Sequence, residues 1–184
     1  RTDPLYYGGS TVAETALHWP LVHAPGSIFR YANNDTLAAV NAIEASLAKQ
    51  PPAQVFAQLG MFDTVAETDW RGDYILSSQV WSTARDLARL GQLYLDDGVL
   101  ADGTRVLPED WADYVSAPDG PQPDGPFGYG AGFWLLDAGD GVPADTFAVI
   151  VPSRDTVIVR RGEDLAGHRF DIAAFTRDVL ASLE

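Results

Sequence analysis

Tyr31 and Asn33 stand one residue apart, just after a Pro25-Gly26 turn signal and at the start of a helical pattern. They place a phenol, which donates and accepts one proton, beside a carboxamide that can do both at once. Each also has a plain structural use: Asn33, like Asn34 and Asp35, can cap the helix, and Tyr31 can be a half-buried aromatic with its hydroxyl satisfied. Other chemistry is scarce. There is no cysteine, which excludes disulfides, thiolate metal sites and a cysteine nucleophile together. His18 and His23 are five residues apart with Pro20 between them, and His168 is far downstream. Helical metal sites space histidines three or four apart, so these are expected to be structural or surface residues. Asp137, Asp140 and Asp145, near Gly139 and Gly141, lack the ladder and closing Glu of an EF-hand and suit a solvated acidic turn. Neither Gly8-Gly9-Ser10 nor Gly26-Ser27 completes the G-x-S-x-G nucleophile elbow. The G-x-x-x-x-G-K-[ST] phosphate cradle is absent, and the sole lysine is Lys49. No cofactor and no metal is implied. Asn34-Asp35-Thr36 spells a glycosylation sequon, but its position favours helix capping.

The elements that must hold these residues follow from periodicity. Leu37, Val40, Ile43 and Leu47 form one apolar stripe on a helix that Pro51 and Pro52 end. A shorter helix fits Ala53 to Leu59, closed by Gly60. Thr83 with Asp86 matches a capping box, followed by Leu87, Leu90 and Tyr94 as a buried face and Gly98 as the stop. Pro108, Glu109 and Asp110 suit the first turn of another helix. The Pro-, Gly- and Asp-rich stretch from Ser116 to Gly130 reads as a long surface loop. Phe133 to Leu136, Phe147 to Val151 and Thr156 to Arg160 read as strands, the last two joined in an antiparallel hairpin through Pro152 to Asp155. Asp171 caps a final helix with Ile172, Phe175, Val179 and Leu183 on the face that would cover a sheet. The fold class is therefore α+β, an antiparallel sheet flanked by helices.

The segment from Pro25 to Val40 (PGSIFRYANNDTLAAV) resembles the second active-site motif of the serine β-lactamase and penicillin-binding-protein superfamily, in its class C-like esterase and amide-hydrolase branch. His18 to Ala24, Ser77 to Gly91 and Val149 to Asp155 resemble the same branch in the same order, and members related to 6-aminohexanoate-oligomer hydrolases are the nearest likeness. The likeness runs over about residues 18 to 162. It implies acyl transfer: a serine attacks an ester, amide or β-lactam carbonyl, a covalent ester forms, and water releases it. Tyr31 would then be catalytic as the proton shuttle. A phenol with a pKa of about 10 needs a nearby cation for this, which the family supplies as the lysine of S-x-x-K. Asn33 would orient that lysine and hold the substrate. The partner implied is a small-molecule ester or amide.

Two features depart from the family pattern. Its S-x-x-K precedes Tyr-x-Asn by roughly a hundred residues, whereas only thirty residues precede Tyr31 here. The one match, Ser46-Leu47-Ala48-Lys49, follows the motif on the expected helix, about 18 Å along its axis at about 1.5 Å per residue. Proton transfer needs about 3 Å, so this match is a decoy. The glycine-rich strand segment that the family places before Val149 is also missing at Thr146-Phe147-Ala148. Residues 1–184 are accordingly expected to be a single domain that forms the C-terminal part of a larger serine hydrolase domain. The missing N-terminal part would supply the Ser and Lys, and the chain alone would be inactive. The competing reading is a non-catalytic domain of the same fold that binds a peptide or muropeptide-like ligand.

Bulk composition sets the outer limits. The 184 residues carry a net charge of −14 and are 46% hydrophobic, enough to build a core and too acidic to attract phosphate backbones. Nucleic acid is excluded as a partner, and no apolar run approaches the roughly 18 residues of a membrane span. The first residues do not indicate a compartment. Trp81, Tyr129, Phe133 and Trp134 could line an aromatic cleft, although strand aromatics are more often core.

Overall fold

Capping chemistry and turn residues set most element boundaries in this chain. The computed structural model describes residues 10–125, 127–136, 146–162 and 170–184. They fold as α+β, with helices and three two-stranded antiparallel ladders. Two compact units are distinguished, one comprising Arg1–Ala24 and Arg30–Thr83, the other Pro25–Phe29 and Ala84–Glu184.

In the first unit, helix α1 (Val12–Leu17) opens on a full capping box between Thr11 and Glu14. It packs against α2 (Asn33–Ala42), where Val12, Leu37 and Ile75 form a buried cluster with Ala16 against it. The stripe expected on one helix is broken at Ile43, and α3 (Glu44–Lys49) starts afresh. Leu37 and Val40 are buried but Ile43 is 50% exposed. With no packing reward at the third stripe position, nothing holds a β-branched residue in regular helix there. Helix α4 (Pro52–Gln58) begins on a proline that needs no donor, and Gly60 follows it at φ 72°. Strands β1 (Val65–Ala66) and β2 (Val80–Trp81) pair through Val65↔Trp81 and Ala66↔Val80. The connection between them is built around Asp69. Its Oδ1 accepts from Arg71 N (2.8 Å) and Asp73 N (3.0 Å), and its Oδ2 accepts from Val12 N at 2.8 Å. One carboxylate thus fixes both a turn and the entry to α1.

In the second unit, helix α5 (Ala84–Leu95) begins directly after Thr83. Its buried positions are Asp86, Gly91 and Leu93, while Leu87, Leu90 and Tyr94 are half-buried. Asp86, 1% exposed, pairs with Arg89 Nη1 at 2.7 Å. The buried face therefore lies beside the one that the apolar residues alone indicate, because a paired carboxylate and a glycine occupy it. Helix α6 is Trp111–Ser116 and starts three residues after Pro108, since Asp110 sits in the left-handed region at φ 61° and forces a turn first.

The presumed loop from Ser116 to Gly130 contains a strand. Strand β3 (Phe127–Tyr129) pairs with β4 (Trp134–Leu136) through Phe127↔Leu136, Gly128↔Leu135 and Tyr129↔Trp134. Gln122 seals its end, its Oε1 accepting from Tyr129 N at 2.8 Å. Gly130 follows it so closely that a Cβ would lie 2.0 Å from the Val115 carbonyl oxygen.

Strands β5 (Thr146–Val151) and β6 (Thr156–Arg161) form the expected antiparallel hairpin, joined by a 3-10 turn at Pro152–Arg154 and by Asp155 at φ 46°. Helix α5 lies across this hairpin, and Gly91 permits the approach: a Cβ there would meet Val157 Cγ1 at 2.6 Å. Helix α7 (Ile172–Ala181) is capped by Asp171, which accepts from Ala174 N at 2.8 Å. It buries Ile172, Ala173 and Thr176, whereas Phe175 and Val179 are half-buried and Leu183 is 65% exposed. The hairpin reaches this helix through Arg160, whose guanidinium stacks on Phe170 (4.2 Å), which in turn meets Phe175 at 5.1 Å. An Arg154–Glu184 ion pair adds a second link.

Candidate functional site

The Tyr-x-Asn segment is shaped by three local features. Gly26 takes φ +73°, a conformation that leaves a side chain strained, and so makes the Pro25-Gly26 turn. Ala32 is extended (φ −145°, ψ 130°) and serves as the N-cap of α2, with no side-chain capping bond. Asp35 N donates to Ala32 O at 3.1 Å and closes the first turn. Tyr31 therefore lies just outside the helix and is 62% exposed, and Asn33 is its first residue, half-buried. The capping role open to Asn33, Asn34 and Asp35 is not the one adopted. The N-cap is the extended Ala32 and the helix starts at Asn33, which puts all three carboxamide and carboxylate residues inside the first turn. The sequon Asn34-Asp35-Thr36 lies within that turn too. Asn34 Oδ1 is buried and accepts no hydrogen bond from the described residues.

Phe29, two residues before Tyr31, belongs to the second unit and packs edge-on with Tyr129 (5.2 Å) and Trp134 (6.0 Å). Those two rings meet each other at 5.1 Å. Of the aromatics named as a possible cleft, Tyr129 and Trp134 thus form a ring cluster, though Trp134 stays 43% exposed. Phe133 packs on Tyr94 at 5.0 Å instead. Burial raises the Tyr94 pKa above its ordinary value, against a smaller opposing effect of its hydrogen bond with Trp111. Trp81 is an exposed strand residue whose Nε1 donates to Glu67 Oε1 at 2.9 Å. Neither Phe29 nor Asp69 was singled out by local patterns, because their partners are remote in sequence.

Other candidate residues do not join the motif. Ser46 and Lys49 lie on α3, beyond the break at Ile43, so the single helix axis used to separate them from Tyr31 does not exist, although they stay on a different element. His18 Nδ1 lies 3.0 Å from Glu14 O, and His23 is exposed. His168 and the acidic turn from Asp137 to Asp145 lie outside the described residues, as does the chain just before Thr146. Among the described residues no group of three or more His, Asp or Glu side chains is arranged to hold a metal ion, and no helix is long and apolar enough to cross a membrane. A cleft of about 130 Å³ in the first unit is lined by Val12, Val40, Asn41, Glu44, Leu47 and Tyr74, among others, and includes neither Tyr31 nor Asn33. It is small beside the roughly 300 Å³ of ordinary ligand pockets.

Comparison with known proteins widens this local picture. The family described as Beta-lactamase matches residues 2–181. Among solved structures, a protein described as a 6-aminohexanoate-dimer hydrolase from Bacillus anthracis is similar in fold, with a TM-score of 0.67 and 23% identity. That likeness covers 94% of this chain and 47% of the other, so this chain spans about half the length of that protein. No curated protein matches.

Proposed function

Because the chain belongs to the Beta-lactamase family, we propose that it carries the Tyr-x-Asn element of a serine hydrolase. The substrate is a small molecule with an ester, amide or β-lactam carbonyl. The nucleophilic serine and its lysine come from polypeptide outside these residues, the N-terminal part of the same domain. Tyr31 passes the serine proton, and Asn33 orients the lysine and holds the substrate.

The observation that carries this reading is the exposed Tyr31 phenol, at the mouth of a helix whose capping is already done by backbone. A tyrosine used only for packing is normally buried, whereas Tyr31 keeps 62% of its surface in solvent. The buried Asn34 Oδ1, which accepts no hydrogen bond from the described residues, leaves an acceptor for a donor beyond them. The chemistry is then a division of labour. Lysine's ammonium stabilises the phenolate near neutral pH; the phenolate accepts the serine proton as the serine oxygen attacks the carbonyl, and the phenol then gives that proton to the departing alcohol or amine. The acyl-enzyme is resolved by water activated through the same phenol. No metal or nucleotide has a step in this scheme.

The test is intact-mass labelling of the complete gene product with a fluorophosphonate or a penicillin. A stoichiometric adduct is expected in the wild type, slowed by about 10²-fold or more in Tyr31→Phe, which keeps the ring and removes the proton carrier. Labelling that is unchanged in Tyr31→Phe refutes the assignment. The 184-residue chain alone is expected to give no burst with a chromogenic cephalosporin or p-nitrophenyl esters, and an acyl adduct on it would overturn the placement of the nucleophile.

A further inference from the structure

The segment that carries Tyr31 is exposed almost throughout: Leu21, Val22 and Ile28 all keep more than half of their surface in solvent. Phe29 is the exception, half-buried against Tyr129 and Trp134. Two residues of extended chain span at most about 7 Å, so whatever fixes Phe29 also restricts the backbone of Tyr31. From the other side that backbone is fixed by Ala32 and the first turn of α2.

We propose that Phe29 is a positioning residue, and that its packing against the Tyr129–Trp134 ring pair clamps the backbone from which the Tyr31 phenol projects. The inference rests on the hydrolase reading only for the work it gives Tyr31; the clamp itself rests on ring geometry. Two edge-to-face contacts, at 5.2 and 6.0 Å, hold the Phe29 ring, and a third at 5.1 Å holds Tyr129 and Trp134 to each other. The β3–β4 ladder that carries Tyr129 and Trp134 as direct cross-strand partners holds those two rings on one face. A flexible approach would let the phenol sample many positions, and a misplacement of about 1 Å at a proton-transfer site costs about 10²-fold in rate.

The chain offers a direct probe, because Arg30 is the only Lys or Arg between Arg1 and Lys49. Native-state trypsin cleavage after Arg30 in the complete gene product, with the fragment identified by its mass, reports how often this segment is released. The wild-type rate is expected to rise about thirtyfold in Phe29→Ala, the equivalent of two edge-to-face contacts, and to rise also in Trp134→Ala, with the global melt little changed. Phe29→Tyr, which keeps the ring, is expected to restore the wild-type rate; should Phe29→Ala fail to fold, Phe29→Leu serves in its place. In the complete gene product, Phe29→Ala is expected to lower the acylation rate constant about tenfold or more with little change in substrate affinity, and Phe29→Tyr to rescue it. Equal cleavage rates in wild type and Phe29→Ala overturn the clamp. Faster cleavage with unchanged acylation overturns the positioning role. If the wild type forms no adduct at all, the hydrolase reading falls and takes Tyr31's work with it, while the cleavage rates still decide the clamp.

Discussion

Gly91→Ala tests the packing of α5 on the β5–β6 hairpin with two opposed and separable effects. The position is helical, so alanine should gain about 1 kcal/mol over glycine from backbone propensity alone. Its Cβ, however, would lie 2.6 Å from Val157 Cγ1 and 3.0 Å from Cγ2, well inside van der Waals contact. Overpacking of this kind costs about 1 to 3 kcal/mol, and Val157, the second residue of β6, is held in the ladder opposite Ile150. With the overlap this severe the upper part of that range applies, and a net loss of about 1 to 2 kcal/mol is expected. Val157→Ala alone should cost a similar amount, by removing two methyl groups from a half-buried site. In the double variant the new methyl occupies the space the valine vacates, and stability should return to within about 1 kcal/mol of wild type, a coupling of about 2 kcal/mol. Urea unfolding followed by far-UV circular dichroism at the four corners of this cycle measures it. A Gly91→Ala single variant that is more stable by about 1 kcal/mol, with no coupling to Val157, would mean that only propensity operates and that helix and hairpin do not meet here.

Two further expectations concern stability. Asp69→Ala removes the acceptor of three backbone N–H groups at 2.8 to 3.0 Å; it should cost about 2 to 4 kcal/mol, and hydrogen exchange should quicken at Val12, Arg71 and Asp73 while amides in α7 keep their protection. Tyr94 has its pKa raised by burial, so the folded state favours the neutral phenol. Its contribution is complete below the ordinary tyrosine pKa of about 10 and is lost as pH rises through the folded value. Ultraviolet titration should show one tyrosine ionising after the others, and Tyr94→Phe should remove that step and flatten the alkaline loss of stability.

What the sequence disclosed was local. Asp171 as a cap, Gly60 closing a helix and Pro152 to Asp155 turning a hairpin each act within a few residues, so each was legible. Strand β3 was not, because Phe127–Tyr129 follows a turn-rich stretch and becomes a strand only through its pairing with Trp134–Leu136. The break at Ile43 escaped because periodicity records where an apolar residue is, not whether a neighbour covers it. The N-cap at Ala32 escaped because polar side chains are the usual sign of a cap, and here the backbone turns without one. Phe29 gave no signal at all: its partners stand about a hundred residues away, and only the fold brings the rings together.

Gly130 carries a consequence for how the aromatic face is presented. The space its missing side chain would fill is already taken by the oxygen of Val115, with Ala117 O close behind. Were β3 to slide by one position against its surroundings, either Tyr129 or Ala131 would have to enter a gap wide enough for a hydrogen atom alone. A one-step slide would also turn Tyr129 to the opposite side of the ladder. The orientation of the rings that grip Phe29 is therefore guarded by an atom that is not there, and a single methyl at position 130 would unseat it.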